Sequence, residues 1–241
     1  MTLAQLLFSQ GFGTRRECAG LIASGWVTVD GAICREPDRQ VDPHGLGFSV
    51  RGEPWTYHER ALLAMNKPAG YECSQKPRHH PSVYALLPAP LRRRGVQAIG
   101  RLDEDTTGVL LFSDDGTLIH RLTSPKHHVP KVYEVGCRHP IDPALVERLR
   151  EGVLLHDENE SVRAAACEAT GPTTLRLTLV EGRYHQVKRM IAAAGNRVES
   201  LARSDFGGVR VDALASGAWR WLSDEEAAAM TRNRSTAGIA P

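Results

Sequence analysis

Gly100-Arg101-Leu102-Asp103-Glu104-Asp105-Thr106-Thr107-Gly108 is the stretch around which this chain is organised. It places an arginine and three carboxylates between two apolar runs, residues 96–99 and 109–112. Short apolar runs of this kind predict buried strands, so we expect the acidic stretch to be a loop that joins two strands at one edge of a sheet. Loops that a rigid scaffold anchors often carry chemistry. Taken alone, however, these residues favour a charged turn that Gly108 closes.

The size and composition of the chain suit a globular protein with a buried core. It has 241 residues, 41% of them hydrophobic, enough for one large or two small domains. The sequence has no apolar run near the roughly 20 residues of a membrane helix and no basic start typical of a secretory signal. The five cysteines are scattered without a Cys-x-x-Cys pair. We therefore expect a cytoplasmic protein with reduced cysteines and no membrane partner.

Basic residues are concentrated in the middle of the chain, although the net charge is only +2. Residues 61–140 hold 11 Lys and Arg against 7 Asp and Glu, whereas the flanking segments hold 6 against 7 and 13 against 14. The middle segment also contains the run Arg92-Arg93-Arg94. Such clustering is typical of proteins that contact a phosphate backbone. A solvated basic face explains the charge equally well.

The first 50 or so residues predict two helices and a hairpin. Apolar residues recur at helical spacing over residues 3–10, and Thr14 followed by Glu17 predicts a capping box that opens a second helix. Asp30-Gly31, between two short apolar runs, is a strong hairpin signal. These elements predict a compact N-terminal module.

This module resembles the S4 RNA-binding domain. The resemblance rests on Arg15-Arg16-Glu17 through Leu21-Ile22, followed by Gly25-x-Val27-x-Val29-Asp30-Gly31. It implies that Arg15 and Arg16, at the start of the second helix, bind RNA. A small structural or protein-contact module is the alternative. The polar segment 52–60 predicts the domain boundary, so the S4-like domain is expected to cover residues 1–56.

A second, larger domain is expected over residues 61–229. Strands are predicted at residues 61–65, 131–137 and 174–179, and helices after Asp114 or Asp115, from Pro143, over 185–194 and from Ser223. Strands and helices in this irregular order predict an α+β fold with a largely antiparallel or mixed sheet flanked by helices. Residues 230–241 are expected to form a disordered tail.

Several familiar chemistries lack their motifs in this sequence. His79-His80 and His127-His128 are adjacent pairs that cannot point at one ion, so no metal is expected. There is no Gly-x-Ser-x-Gly nucleophile turn, and Gly207-Gly208 lacks the rest of a phosphate loop. Carboxylate chemistry on a bound nucleic acid is the interpretation that uses both the acidic loop and its basic surroundings.

Four motifs resemble those of the pseudouridine synthases of the ribosomal small-subunit type. They are Asn66-Lys67-Pro68-x-Gly70, the acidic loop, Lys131-x-Tyr133 and residues 181–190, EGRYHQVKRM. The resemblance spans roughly residues 1–228 and implies an isomerase that converts a specific uridine of ribosomal RNA to pseudouridine. That reaction breaks the N1–C1′ bond and joins C5 to C1′ without redox change or group donor, so no cofactor is expected.

The resemblance also implies roles for single residues. Asp103 becomes the catalytic carboxylate, Tyr133 the aromatic that stacks on the uracil, and Lys188 the cation that keeps Asp103 charged. Arg101 is implied to fill the space that the flipped base leaves. On the residues alone, Tyr133 would be a core side chain and Lys188 a solvated helix residue.

Other expectations concern the RNA target. Arg183, Gln186 and Arg189 are candidates for shaping the pocket or holding phosphate, with structural salt bridges as the alternative. Residues 124–133 and 182–190 resemble the 16S enzyme, whereas residues 11–17 resemble the 23S enzymes, and we give the catalytic half more weight. The expected partner is ribosomal RNA or a pre-ribosomal particle, and nothing in the sequence calls for more than a monomer.

Two other classes of function remain. An RNA-binding protein without activity would leave the set of Asp103, Tyr133 and Lys188 unexplained. A carboxylate glycosidase normally needs two acids at a defined separation, and Glu104 and Asp105 lie too near Asp103 in sequence to be an obvious pair.

Overall fold

The computed structural model describes residues 1–231, which divide into two compact units. The first unit comprises Met1–Ala61 and Leu87–Gln97, and the second comprises Leu62–Leu86 and the chain from Ala98 onward. None of the described helices is long and apolar enough to cross a membrane.

The first unit is a small sheet covered by helices. Its elements are helices α1 (Leu3–Ser9), α2 (Arg15–Ala23) and α3 (Ala89–Arg94), and strands β1 (Val27–Val29), β2 (Ala32–Cys34), β3 (Gly47–Val50) and β4 (Glu53–Thr56). The strands pair antiparallel in the order β2-β1-β3-β4. Thr14 Oγ1 accepts from Glu17 N at 3.2 Å, and Glu17 Oε2 accepts from Thr14 N at 2.6 Å. The predicted capping box and the hairpin at Asp30-Gly31 are both confirmed.

Two features of this unit differ from the contiguous boundary that the sequence predicts. The polar boundary segment contains β4, an edge strand in which Pro54 is tolerated because one side of the strand is unpaired. In addition, the α3 segment returns to the first unit after residues 62–86. Arg94 donates to Gln10 Oε1 at 3.0 Å and to Glu59 O at 2.7 Å, and Arg93 donates to Phe12 O at 3.1 Å. These arginines, expected to contact RNA, hold α3 in place.

The second unit is built on one large mixed sheet. Its strands are β5 (Leu62–Lys67), β6 (Gln97–Ile99), β7 (Thr107–Ser113), β8 (Lys131–Cys137), β9 (Val153–Leu154), β10 (Ser161–Val162), β11 (Ala166–Ala169), β12 (Thr174–Leu179), β13 (Val198–Phe206) and β14 (Trp219–Trp221). Its helices are α4 (Gly116–Thr123), α5 (Pro143–Glu151), α6 (Gln186–Ala193) and α7 (Asp224–Thr231). Within the described chain the sheet order is β11-β12-β8-β13-β7-β5-β14, with β6 on β7. The β13–β7 pair is parallel, and the other pairs along this order are antiparallel.

The acidic loop joins β6 to β7, as the flanking apolar runs predict. β7 itself lies inside the sheet between β5 and β13, so the loop is anchored to the centre of the sheet and not to its edge. An apolar cluster that includes Ala64, Val109 and Leu111 supports this part of the sheet.

The predicted disordered tail begins too early. α7 continues through Thr231, opened by the expected capping box between Ser223 and Glu226, and Met230 is buried. Met230 belongs to the apolar cluster of the second unit, which explains why the helix continues. The remainder of the predicted tail, residues 232–241, lies outside the described residues.

Gly108 is required where β7 and β13 approach each other. Its φ is +98°, and a Cβ added there would lie 2.2 Å from the carbonyl oxygen of Arg203. That oxygen cannot move aside without disturbing the parallel pair. We expect Gly108→Ala to lower the free energy of unfolding by about 3 kcal/mol, measured by urea titration.

Gly195→Ala is the matched control for this substitution. Gly195 has a similar φ of +91°, but an added Cβ meets no described atom within 4 Å. We expect a loss of about 1 kcal/mol from the backbone conformation alone. Equal losses in the two variants would contradict a steric role for Gly108.

Candidate active site

Residues from three sequence motifs lie on one line across the large sheet. Lys67 pairs with Gly108, Gly108 with Arg203, and Arg203 with Tyr133. Directly paired residues share a face of the sheet, and the three side chains on this line are buried. With strands about 4.8 Å apart, Tyr133 lies roughly 10 Å across the sheet from the end of the acidic loop.

The buried ammonium of Lys67 fixes the shape of the acidic loop. Lys67 Nζ donates to the carbonyl oxygens of Pro68 at 2.9 Å, Glu104 at 3.1 Å and Thr106 at 2.9 Å. Gly70 N also donates to Glu104 O, at 2.8 Å. Burial lowers the pKa of Lys67, and the nearby thiol and carboxylates only partly offset this effect. The Asn-Lys-Pro turn is therefore a support for the loop.

Asp103 projects from this loop towards α6. Its Oδ2 lies 3.1 Å from Lys188 Nζ, and its Oδ1 lies 3.2 Å from His185 Nε2. The Asp103 side chain is 26% exposed, so one side of the carboxylate remains open to solvent. His185 precedes α6 in a left-handed conformation with φ of 48°, and Lys188 lies one turn along the helix. The predicted cation is thus beside Asp103, together with an imidazole that sequence reasoning gave no role.

Lys188 is shared between two carboxylates. Its Nζ donates to Asp105 Oδ1 at 2.7 Å and to Oδ2 at 2.8 Å, both shorter than its contact with Asp103. Burial on its own lowers the pKa of Lys188, but the hydrogen bonds with Asp105 and Asp103 outweigh burial and raise it. Burial on its own raises the pKa of Asp105, but the hydrogen bond and charge of Lys188 outweigh burial and lower it. The ammonium therefore stays charged in the RNA-free protein.

Arg203 is a site residue that sequence reasoning missed. It is 2% exposed, and its Nε donates to Val109 O at 2.8 Å. Its Nη2 finds no hydrogen-bond partner in the described part of the chain, and its guanidinium lies 5.0 Å from the Phe206 ring centroid. Lys131 Nζ lies 5.3 Å from the same ring. The signal in the sequence was an arginine at a strand position whose side chain faces the interior.

Arg183, Gln186 and Arg189 are held by a cluster of acids. Arg183 pairs with Glu158 and with Glu181, and Arg189 pairs with Glu158 at 3.3 Å. Gln186 donates to Glu181 Oε1 at 2.7 Å and accepts from Arg183 N at 2.8 Å. Arg183 and Arg189 thus form the salt bridges that were the alternative, and Gln186 is held by hydrogen bonds. The base-binding role of all three stays a prediction.

The other predicted RNA contacts are exposed arginines. Arg101 is exposed at the start of the acidic loop. Arg15 and Arg16 are exposed on α2 of the first unit, where the Arg15 guanidinium lies 5.4 Å from the Phe8 ring centroid. Among residues 1–231, no group of three His, Cys, Asp or Glu side chains could hold a metal ion.

Comparisons with known proteins agree on the class. The family model for RNA pseudouridylate synthase matches residues 61–193, and the S4 domain model matches residues 1–45. The ribosomal small subunit pseudouridine synthase A of Escherichia coli (strain K12) is 42% identical over 226 residues, covering 92% of this chain and 96% of that protein. A Bacillus subtilis (strain 168) protein named as an uncharacterized RNA pseudouridine synthase is 40% identical over 231 residues, 94% of this chain and 96% of its own length.

A solved crystal structure of a pseudouridylate synthase has a TM-score of 0.68 to this chain. It is 34% identical in sequence, and the match covers 95% of this chain and 99% of that one. An S4 domain followed by an α+β catalytic domain defines an RNA-modifying enzyme. The chain belongs to the RNA pseudouridylate synthase family and is an isomerase. The predicted family and fold class are confirmed.

Removal of the Lys67 ammonium tests the support of the loop. We expect Lys67→Met to lower the free energy of unfolding by roughly 3 kcal/mol, because three carbonyl oxygens each lose a charged donor and only Glu104 O keeps a second one, Gly70 N. Urea titration measures the loss. The exposed Lys126→Met serves as control and should leave stability within about 0.5 kcal/mol of the wild type. A Lys67→Met protein as stable as the control would contradict the assigned support.

The pKa of Lys131 predicts a pH-dependent contribution to stability. Burial and the nearby Arg203 lower this pKa from 10.5 to about 8, against an opposing effect of Glu181. Between about pH 8 and pH 10.5 the unfolded chain holds a proton at Lys131 that the folded chain has released. The destabilisation from burying the charged form therefore disappears as the pH rises, and the stability of the folded protein increases.

We expect the stability of the wild type relative to Lys131→Met to increase by about 3 kcal/mol between pH 7 and pH 10.5. Urea titrations across this range measure the difference, and Lys126→Met, at an exposed position, should follow the wild type. A difference that stays constant with pH would show that Lys131 is not desolvated in the folded protein.

Proposed function

We propose that this enzyme isomerises a specific uridine of 16S ribosomal RNA to pseudouridine, with Asp103 as its catalytic carboxylate and without a cofactor. The observation that carries the proposal is the placement of Asp103. Its carboxylate lies on a loop fixed by Lys67, contacts Lys188 and His185, and remains partly exposed. The small-subunit name of the Escherichia coli relative supports the 16S target.

The chemistry follows from a charged carboxylate beside a flat base. Base flipping brings the uridine out of its stack at a cost of a few kcal/mol, which backbone contacts offset. Asp103 then attacks C1′, adds to C6 or removes the C2′ proton, and each route releases N1 from C1′. The uracil turns, C5 bonds to C1′ as any bond to Asp103 is released, the C5 proton leaves to solvent, and N1 takes up a proton. Bonds broken and formed lie within one nucleotide, so no external group or electron is needed.

The neighbours of Asp103 have separate tasks in this proposal. Lys188 keeps the carboxylate ionised as the base excludes water, since desolvation alone disfavours the charged form. Tyr133, on strand β8 of the large sheet, stacks on the uracil. Arg101, exposed at the start of the loop, fills the space that the flipped base leaves.

A uridine of 23S ribosomal RNA is the second candidate target. The segment Gly11-Phe12-Gly13-Thr14-Arg15-Arg16-Glu17 favours it, because this opening resembles the large-subunit enzymes. The 16S target is preferred because the segments that flank Tyr133 and Lys188 shape the pocket. Naked RNA or a pre-ribosomal particle, a monomeric state and a cytoplasmic location all stay predictions.

Tritium release tests the reaction and the catalytic residue together. Ribosomal RNA labelled at uracil C5 loses its tritium to water when C5 becomes bonded to C1′, and pseudouridine in the digested product shows that the release came from this reaction. We expect the wild type to release label from 16S RNA and Asp103→Asn to reduce the rate by at least about 10⁴-fold. Asp212→Asn, an exposed acid paired with Arg210, is the matched control and should retain the wild-type rate.

The outcomes separate the alternatives. Release that survives Asp103→Asn would remove Asp103 from the reaction, and release only from 23S RNA would change the target. Free uracil in place of pseudouridine would indicate a glycosidase, and RNA binding without release would indicate an inactive binding protein. Mapping the modified uridine in cellular RNA with and without the protein identifies the position.

A further inference from the structure

An exposed aromatic pair lies directly beside Asp103. Tyr184 is 70% exposed, and its ring stacks on the His185 ring with centroids 3.8 Å apart and planes 18° apart. His185 Nε2 in turn lies 3.2 Å from Asp103 Oδ1. A single exposed tyrosine needs no explanation. This one belongs to a parallel stack that ends on the proposed catalytic carboxylate.

The backbone beneath this stack is held in place. Arg189 Nη1 donates to Tyr184 O at 3.3 Å, and Arg183 N donates to Gln186 Oε1 at 2.8 Å. His185 adopts a left-handed conformation, which a residue other than glycine keeps only when its surroundings enforce it. The exposed ring of Tyr184 is therefore presented on a fixed support.

We propose that the Tyr184–His185 stack is a platform for the base of a nucleotide next to the target uridine. The proposal rests on the function proposed above. Single-stranded RNA is recognised largely by stacking of splayed bases on aromatic side chains. Once the target base is flipped towards Asp103 and the buried Tyr133, its neighbour in the chain lies within reach of the outer face of Tyr184. The platform selects substrates in which that neighbour is unpaired and free to stack.

Kinetics of Tyr184 variants provide the first test. We expect Tyr184→Ala to raise the KM for 16S RNA about fivefold or more and to change kcat less than about twofold, because a stacking contact is lost while Asp103 and Lys188 stay in place. Tyr184→Phe keeps the ring and should match the wild type. Leu154→Ala, another exposed apolar side chain of the second unit, is the matched control and should leave both constants unchanged.

Abasic substrates separate a stacking role from a structural one. The base 5′ or 3′ of the mapped uridine is removed in two synthetic RNAs. At the stacked position, loss of the base should raise KM for the wild type by about the same factor as Tyr184→Ala. It should then cause no further rise in the Tyr184→Ala enzyme. A merely structural effect of Tyr184 on His185 would lower kcat equally on every substrate.

Fluorescence provides an independent readout. With 2-aminopurine at the stacked position, binding to Asp103→Asn protein should quench the probe, and Tyr184→Ala in that background should not. A wild type that forms no pseudouridine in ribosomal RNA overturns the proposed function. An active wild type whose KM is unchanged by Tyr184→Ala, or abasic effects that add to it at both positions, overturns the platform alone.

Discussion

The buried ammonium of Lys67 is the contact on which the site depends. The three carboxylates of the acidic loop repel each other, and the carbonyl oxygens of the loop need donors where the chain enters β7. Lys67 meets both needs, because its ammonium donates to the carbonyl oxygens of Glu104 and Thr106 and interacts with the nearby carboxylates. Hydrogen bonds from charged donors are about twice as strong as neutral ones. These hydrogen bonds offset the cost of burying a cation, and they fix the loop from which Asp103 projects.

Strand register carries this local arrangement across the sheet. Lys67, Arg203 and Tyr133 are brought to one line because β5, β7, β13 and β8 pair in a single alignment. A shift of one residue in any pair would turn a side chain to the opposite face. The close approach at Gly108 prevents such a shift between β7 and β13, since only a residue without Cβ fits against the Arg203 carbonyl. The sheet therefore sets the distance between the acidic loop and the aromatic residue.

Local signals in the sequence were sufficient for most elements and for the family. The capping boxes at Thr14 and Ser223 and the hairpin at Asp30 depend on residues within a few positions of each other, so the pattern alone predicts them. The return of α3 to the first unit could not be predicted in this way, because Arg94 meets Gln10 and Glu59 from distant segments. The same limit applies to Arg203, whose importance follows only from strand register, and to the sharing of Lys188 between two acids.

That sharing also gives a physical reason for lysine, and not arginine, at position 188. A planar guanidinium fits one carboxylate with two parallel hydrogen bonds. The ammonium has three donors in a tetrahedral arrangement, and here it contacts both oxygens of Asp105 and one oxygen of Asp103. An arginine fork aligned on Asp105 would leave Asp103 with weaker support. Lysine therefore suits a loop in which a second acid holds the cation in position while the first acid keeps a side open to solvent.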